Sequence, residues 1–444
     1  MAQKRLGILS GVMIVGVALL AWAVIRPGPM AFAGKGVPLQ EYSGSPTGVP
    51  ADFSDTTLEA RGKYLTDAAD CQACHTAPDG KAFAGGRAFD TQFGTMYSPN
   101  ITPDVRTGIG SWSDADFLLA LHKGIGKGGL RLYPSFPFAA YTYLTDDDVL
   151  AIKAYLFSLP AEQSVPPENG LRFPFNQRWL MAIWSMLYNP DTRFRPVPER
   201  TASWNRGAYL AEALGHCGDC HTPRTALQSL DNRRKFAGGI AEGWRAYNLS
   251  SDRDSGIGTW SGDDLERYLT TGHSFDRGSA FGPMAEAVHL SFAKLTASDV
   301  TAIVDYVRSV PAVSTPDLPA PKSTPAPEDP MQGVAAGADS QGAMLFAGDC
   351  AGCHGWTGIN KHVPHTTLTG TRAVNDPTAT NVALAVLRGA GTLPPSGDIA
   401  TMPAFGSVYS DSAVAAVANY VTARFGAQPS TITAEQVRKL RETR

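Results

Sequence analysis

All six cysteines of the chain fall in three copies of one pattern: Cys71-Gln72-Ala73-Cys74-His75, Cys217-Gly218-Asp219-Cys220-His221 and Cys350-Ala351-Gly352-Cys353-His354. Two thiols three positions apart can each form a thioether to a vinyl group of one porphyrin. The imidazole that follows then lies under the iron, which is the spacing of c-type haem attachment. Cys71, Cys74, Cys217, Cys220, Cys350 and Cys353 are thus predicted to hold three covalent haem c groups, with His75, His221 and His354 as proximal ligands. A structural zinc site gathers four ligands from closely spaced pairs, whereas successive pairs here lie 146 and 133 residues apart, each with a fused histidine. A thioredoxin-like pair calls for a βαβ setting and no following histidine.

The distal side of each iron is the next question. A methionine thioether there completes an electron-transfer haem and raises its potential. Met284 lies 24 residues after Trp260 and just after Phe281-Gly282-Pro283, and Met402 sits in Thr401-Met402-Pro403-Ala404-Phe405, eight residues before Ser410. Both are predicted distal ligands. The same 24-residue step from Trp112 reaches Phe136, in Tyr133-Pro134-Ser135-Phe136-Pro137, and phenylalanine cannot ligate iron. Met96, Met181 and Met186 are the sulfur candidates for the first haem, and a five-coordinate iron is the alternative. The remaining histidines, His122, His216, His273, His289, His362 and His365, are read as surface residues.

Internal repeats supply the elements that position these groups. Arg61-Gly62-Lys63-Tyr64-Leu65 and Arg206-Gly207-Ala208-Tyr209-Leu210 each open a helix running into a cysteine pair, and Gln341-Gly342-Ala343-Met344-Leu345-Phe346 is a weaker third copy. Helices with apolar residues at three- and four-residue steps are expected over Thr145–Leu159, Thr296–Val310 and Ser410–Phe425, each opening on an N-cap residue. Tyr155, Tyr306 and Tyr420 occupy matching places on them and read as core aromatics. Asn100-Ile101-Thr102 pairs with Asn248-Leu249-Ser250, Gly108-Ile109-Gly110 with Gly256-Ile257-Gly258, and Trp112 with Trp260, so the first two units are duplicates joined over a loop that would cover a haem edge.

The predicted fold class is therefore mainly α, with three tandem cytochrome c domains after an N-terminal hydrophobic helix. The boundaries are 1–34 signal peptide or membrane anchor, 55–160 domain 1, 161–200 apolar linker, 201–311 domain 2, 312–335 Pro-rich linker, 336–426 domain 3 and 427–444 polar tail. A length of 444 residues agrees with roughly three domains. Lys4 and Arg5 precede an apolar run, Leu6–Ile25, long enough as a helix to span about 30 Å, while Ala31-Phe32-Ala33 resembles a cleavage site; either way the rest of the chain is translocated. Seven prolines in 311–330 predict a semi-rigid tether. The 161–200 segment, with Phe173-Pro174-Phe175 and Trp179-Leu180-Met181-Ala182-Ile183-Trp184, is too apolar for a solvated spacer and is expected to pack between domains or on a partner. A net charge of −3 with 18% charged residues leaves no basic stripe for nucleic acid.

With these motifs, together with Tyr97-Ser98-Pro99-Asn100-Ile101-Thr102-Pro103-Asp104, Gly282-Pro283-Met284 and Met402-Pro403-Ala404-Phe405, the chain resembles the triheme cytochrome c subunits of bacterial membrane-bound dehydrogenases for alcohols, gluconate, sorbitol or fructose. The resemblance covers nearly all of 55–440. It implies an electron conduit on the periplasmic face of the inner membrane, fed by a flavin, quinoprotein or molybdenum dehydrogenase subunit and discharging to membrane ubiquinone or a terminal cytochrome. It implies no catalysis on substrate by this chain alone. Phe136 stands where many such subunits carry methionine. The alternatives are a haem enzyme or gas-binding protein using an open site on haem 1, and a freely diffusing multihaem carrier.

Overall fold

In a computed structural model, residues 36–55, 57–275, 277–329, 340–392 and 400–443 are described, with Gly16 alone from the preceding segment. The Leu6–Ile25 run and Ala31–Ala33 lie outside the described residues, and no helix among the described residues is long and apolar enough to cross a membrane.

The chain is mainly helical, with short two-stranded hairpins. The first unit runs α1 (Leu58–Ala68), α2 (Cys71–Cys74), the hairpin β1 (Ala88–Thr91) and β2 (Gly94–Tyr97), α3 (Asp114–Lys123), β3 (Ile125–Gly126), β4 (Leu130–Arg131), α4 (Phe138–Tyr141) and α5 (Asp146–Ser158). A connecting helix, α6 (Leu180–Tyr188), follows. The second unit repeats the plan: α7 (Ala202–Tyr209), α8 (Gly218–His221), β5 (Gly239–Ala241), β6 (Trp244–Ala246), α9 (Gly262–Thr271), β7 (His273–Ser274), β8 (Gly278–Ser279), α10 (Pro283–Leu290) and α11 (Ala297–Arg308). The third contains α12 (Ser340–Leu345), α13 (Ala351–His354), α14 (Thr380–Arg388), β9 (Ala390–Thr392), β10 (Ala400–Met402), α15 (Asp411–Phe425) and α16 (Ala434–Glu442).

Each closing helix starts where its cap residue dictates. The hydroxyls of Thr145, Thr296 and Ser410 accept from the backbone N–H groups of Asp148, Asp299 and Ala413, satisfying amides that the first helical turn leaves open. The opening and closing helices then cross at a glycine. A Cβ on Gly62 would lie 1.9 Å from the Ala151 carbonyl oxygen, on Gly207 1.8 Å from that of Ala302, and on Gly342 2.3 Å from that of Ala416. Tyr155, Tyr306 and Tyr420 contribute their Cβ atoms to the same three crossings. Glycine is thus required by helix contact here and not by a turn.

Units one and two share a single hydrophobic core, whereas the third builds its own around Phe346, Val414, Tyr420 and Phe425. The connecting segment seals the first pair. Trp184 of α6 packs edge-on at 5.7 Å from Phe138 of unit one and donates its indole N–H to the Leu227 carbonyl of unit two at 2.9 Å. Its outer side stays in solvent, with Phe173 78%, Trp179 62% and Met186 76% exposed.

Two expectations change. The proline-rich stretch is no free tether: Leu318 and Ala326 are buried, the Val313 carbonyl accepts from Asn248, and the Lys322 amide donates to Asn375. Prolines forbid helix and sheet, but their carbonyls and the intervening amides still find partners on both flanking units. The polar C-terminal tail also folds, as α16, where Thr433 and Gln436 form a capping box and Val437 is fully buried against the third core.

Candidate haem sites

The three motif histidines share one hydrogen-bond arrangement. His75 Nδ1 lies 2.8 Å from the Pro99 carbonyl oxygen, His221 Nδ1 2.6 Å from that of Tyr247, and His354 Nδ1 2.6 Å from that of Thr366. A carbonyl can only accept, so each Nδ1 carries the proton and each Nε2 keeps its lone pair. Burial lowers the pKa of all three, against the pull of the carbonyl bond, and favours the neutral imidazole that ligates a metal.

The duplicated loop places the accepting carbonyls. Asn100 Oδ1 accepts from the Thr102 amide while its Nδ2 reaches the Glu162 carbonyl at 2.7 Å; Asn248 does the same with the Ser250 amide and the Val313 carbonyl at 2.7 Å. Each asparagine thereby pins the residue before it, Pro99 or Tyr247, beneath a motif histidine. The Ile109 and Ile257 amides close matching turns onto Thr102 and Ser250, and Trp112 and Trp260 follow in the same register. Trp112 packs on the core; Trp260 lies edge-on to Tyr268 at 5.6 Å and under the Arg277 guanidinium.

A cavity of about 400 Å³ brings the second and third sites together. Its walls include Cys217, Cys220, His221 and Met284 from one, Cys350, His354 and Met402 from the other, and the Cys74 edge of the first motif. Haem fits these residues on several counts. The thiols are all unpaired, and the histidines present free Nε2 lone pairs. Arg372, in the same wall, directs its hydrogen bonds to the Pro319 and Asp254 carbonyls and is held below its usual pKa by burial. A half-buried guanidinium of this kind is suited to a propionate. No cluster of three or more His, Cys, Asp or Glu side chains suited to a lone metal ion occurs among the described residues.

Around the first motif the repeat register holds in three dimensions. The Leu132 amide donates to the Gly124 carbonyl at 2.8 Å, as the Ala280 amide does to that of Gly272 at 2.7 Å, so four residues further on Phe136 takes the place of Met284. Phe136 packs on the shared core, edge-on to Tyr141 at 5.5 Å. The structure brings Met96 to this loop, where Ser135 Oγ donates to its sulfur at 3.7 Å. Met186 is instead largely exposed and lines a separate cavity, and Met181 lies on the same helix, α6.

The histidines expected at the surface divide. His289 and His362 are exposed, but His122 is buried, His216 and His365 line the haem cavity, and His273 and His365 meet edge-on at 6.2 Å. Polar flanking sequence suggested exposure; packing overrides it, between units two and three for His273 and His365, against Tyr141 of unit one for His216, and within unit one and its connecting segment for His122. What the sequence did not reveal are the carbonyls of Pro99, Tyr247 and Thr366, since any residue supplies one. Their only signal was the repeated asparagine that follows two of them.

Cysteine pairs with fused histidines, capped helices crossing at glycine, and imidazoles held by backbone carbonyls define a c-type cytochrome. Residues 59–160 match the Cytochrome c family, and 337–421 match the family described as cytochrome c oxidase, cbb3-type, subunit III. The gluconate 2-dehydrogenase cytochrome c subunit of Pantoea cypripedii is 37% identical over 88% of this chain and 91% of its own length. The fructose dehydrogenase cytochrome subunit of Gluconobacter japonicus is 36% identical over 86% and 82%. A nicotinate dehydrogenase subunit of Pseudomonas putida is 40% identical over 86% of this chain, which spans only 31% of that longer protein. The chain belongs to the family of cytochrome c subunits of membrane dehydrogenases, and it binds haem c covalently.

Proposed function

We propose that the chain is a three-haem relay, on the periplasmic face of the bacterial inner membrane, carrying electrons from a catalytic dehydrogenase subunit to ubiquinone or a terminal cytochrome. The observation that carries this reading is the threefold recurrence of a motif histidine fixed through Nδ1 by a backbone carbonyl. When bound, haem c supplies a one-electron carrier at each position. The protein's part is to hold it: Cys71 and Cys74, Cys217 and Cys220, and Cys350 and Cys353 as thioether anchors, His75, His221 and His354 as proximal ligands, and Met284 and Met402 on the distal side of the second and third. Met96 is the proposed thioether for the first, because Ser135, beside Phe136, donates to its sulfur, whereas Met186 is largely exposed.

The relatives are named as cytochrome subunits of dehydrogenases, which supports a partner supplying the electrons; a flavin, quinoprotein or molybdenum subunit would each serve. Leu6–Ile25 would tether the protein to the membrane if retained, or serve as its export signal if cleaved. The second reading, a ligand-binding first haem, draws on Phe136 occupying the place of Met284. The relay is tested by adding alcohols, sugars and sugar acids to the purified chain with and without its dehydrogenase. Haem reduction only in the presence of the partner is expected. Substrate oxidation by the isolated chain overturns the proposal.

A further inference from the structure

Arg372 is half-buried and forms no ion pair among the described residues; its Nη1 and Nη2 donate only to the Pro319 and Asp254 carbonyls, at 2.6 and 2.5 Å. Arg87, Arg206 and Arg245, by contrast, are matched by Glu242 at 2.9 Å, Asp299 at 2.6 Å and Asp376 at 2.9 Å. Burial lowers the Arg372 pKa against the weaker pull of Tyr247, Asp376 and Asp252, and the two carboxylates are engaged elsewhere, with Arg245 and with Ser255. A guanidinium drawn from water without a counter-charge is unfavourable, and a carboxylate answers it through parallel N–H donors.

Arg372 belongs to unit three, yet it borders the part of the haem cavity that unit two builds. The Asp254 carbonyl that it reaches lies in the 248–260 loop, whose Ser255, Gly256 and Trp260 line that cavity. Thr371, its neighbour, packs on strand β8: a Cβ on Gly278 would lie 3.4 Å from the Thr371 Cβ. One residue along β8, Ser279 Oγ donates to the His365 carbonyl at 3.4 Å. Arg372 and His365 thus approach the same strand from unit three. His365 also lines the cavity, and its Nε2 is buried with no hydrogen-bond partner. The rest of the unit-two wall is apolar, with Leu249, Ile257, Leu265, Leu269, Phe292 and Ile303. The carboxylates of a haem cannot face those side chains and belong at the β8 edge. Of the two arginines there, Arg277 is already committed to Asp264 and the Thr259 carbonyl, which leaves Arg372.

We propose that the third unit completes the second haem site: Arg372 pairs with a propionate of the haem held by Cys217, Cys220 and His221, and His365 Nε2 donates to the same edge. The inference rests on the haem position proposed for the second motif and gives it a clamp from the neighbouring unit. His365 is joined to Thr366, whose carbonyl holds His354 Nδ1 at 2.6 Å. The clamp therefore ties the edge of the second haem to the proximal ligand of the third through a single residue. A positive charge beside a haem also favours the ferrous form, so Arg372 raises the potential of the second haem.

The test is a mediated redox titration of full-length holoprotein, joined to resonance Raman spectra of the propionate bending bands. Arg372→Gln should lower the potential of one haem, the same one that Met284→Ala perturbs, and shift a propionate band; Arg372→Lys, which keeps the charge, should recover most of the potential. His365→Leu should shift the same band, and it decides alone if Arg372→Gln fails to fold. If Arg372 only bridges the Pro319 and Asp254 carbonyls, Arg372→Gln will lower the melting point of unit three and leave potentials and bands in place, which overturns the proposal. A shift confined to a different haem overturns it as well. Peptide mapping separates this inference from the reading beneath it: no haem on Cys217 and Cys220 removes site and clamp together, whereas a clamped haem in a protein that no dehydrogenase reduces removes only the relay.

Discussion

Tyr64 of the first unit donates its hydroxyl proton to Asp299 of the second at 2.6 Å. The repeat reciprocates: Tyr209, at the matching position of the second unit, donates to Asp148 of the first at 2.6 Å. The two units are thus related by an approximate twofold exchange of the same bond, which locks the relative placement of the first two haem motifs. Asp299 also takes both nitrogens of a forked pair with Arg206, at 2.8 and 2.6 Å, where the two side chains are 9% and 1% exposed.

Removing that carboxylate leaves a buried guanidinium and a buried phenol without their acceptor. Asp299→Ala should therefore cost about 3–5 kcal/mol, read as a drop in the denaturation midpoint of units one and two. Asp299→Asn, which keeps one acceptor, should cost less. Equal stability of wild type and Asp299→Ala would remove this pair from the account of the interface.

The helix crossings predict a graded series. Gly207→Ala and Gly62→Ala place a methyl group against backbone, which cannot swing aside, and each should lose about 3 kcal/mol or more. Gly342→Ala, whose Cβ has slightly more room, should be milder and confined to the third unit. Melting followed by haem absorbance checks the order.

His122 predicts an acid response. Burial, assisted by Arg193, lowers its pKa to about 4, against the weaker opposing pull of Asp146. In the unfolded chain it takes up a proton near pH 6.5, so the unfolded state binds more protons between these values. Its contribution is fully present above pH 6.5 and is lost as pH falls toward 4. His122→Gln should flatten the stability slope in that window; an unchanged slope would assign the acid sensitivity to other groups.

The distal ligands give spectroscopic outcomes. Met284→Ala and Met402→Ala should each remove the sulfur-to-iron charge-transfer absorption of one haem and lower its potential, because a thioether favours ferrous iron. Met96→Ala should do the same for the first haem, leaving it open to carbon monoxide when reduced. Phe136→Met should restore the pattern of the second unit and make Met96 dispensable. Spectra insensitive to both changes would mean that neither residue faces that iron.

What was legible in the sequence is local. A thioether pair and its histidine are fixed by a five-residue spacing, and N-caps such as Thr145 declare a helix start by their own side chains. Phe136 stood out because two copies of one unit could be laid side by side. The reciprocal Tyr64–Asp299 and Tyr209–Asp148 bonds join residues more than 60 positions apart, and no periodicity reports them. Helix α16 escaped because only Val437 and Leu440 face the core from an otherwise charged segment. His216 and His365 were misplaced because burial arises from packing between units, which flanking polarity does not encode.

The number of covalently held haems tests the central claim most directly. Intact-mass spectrometry of the acid-denatured, acetone-extracted holoprotein should give the mass of the polypeptide plus three haems, each mapped by peptide analysis to one of the pairs Cys71/Cys74, Cys217/Cys220 and Cys350/Cys353. A polypeptide carrying fewer than three, or releasing haem on extraction, would contradict the relay described here.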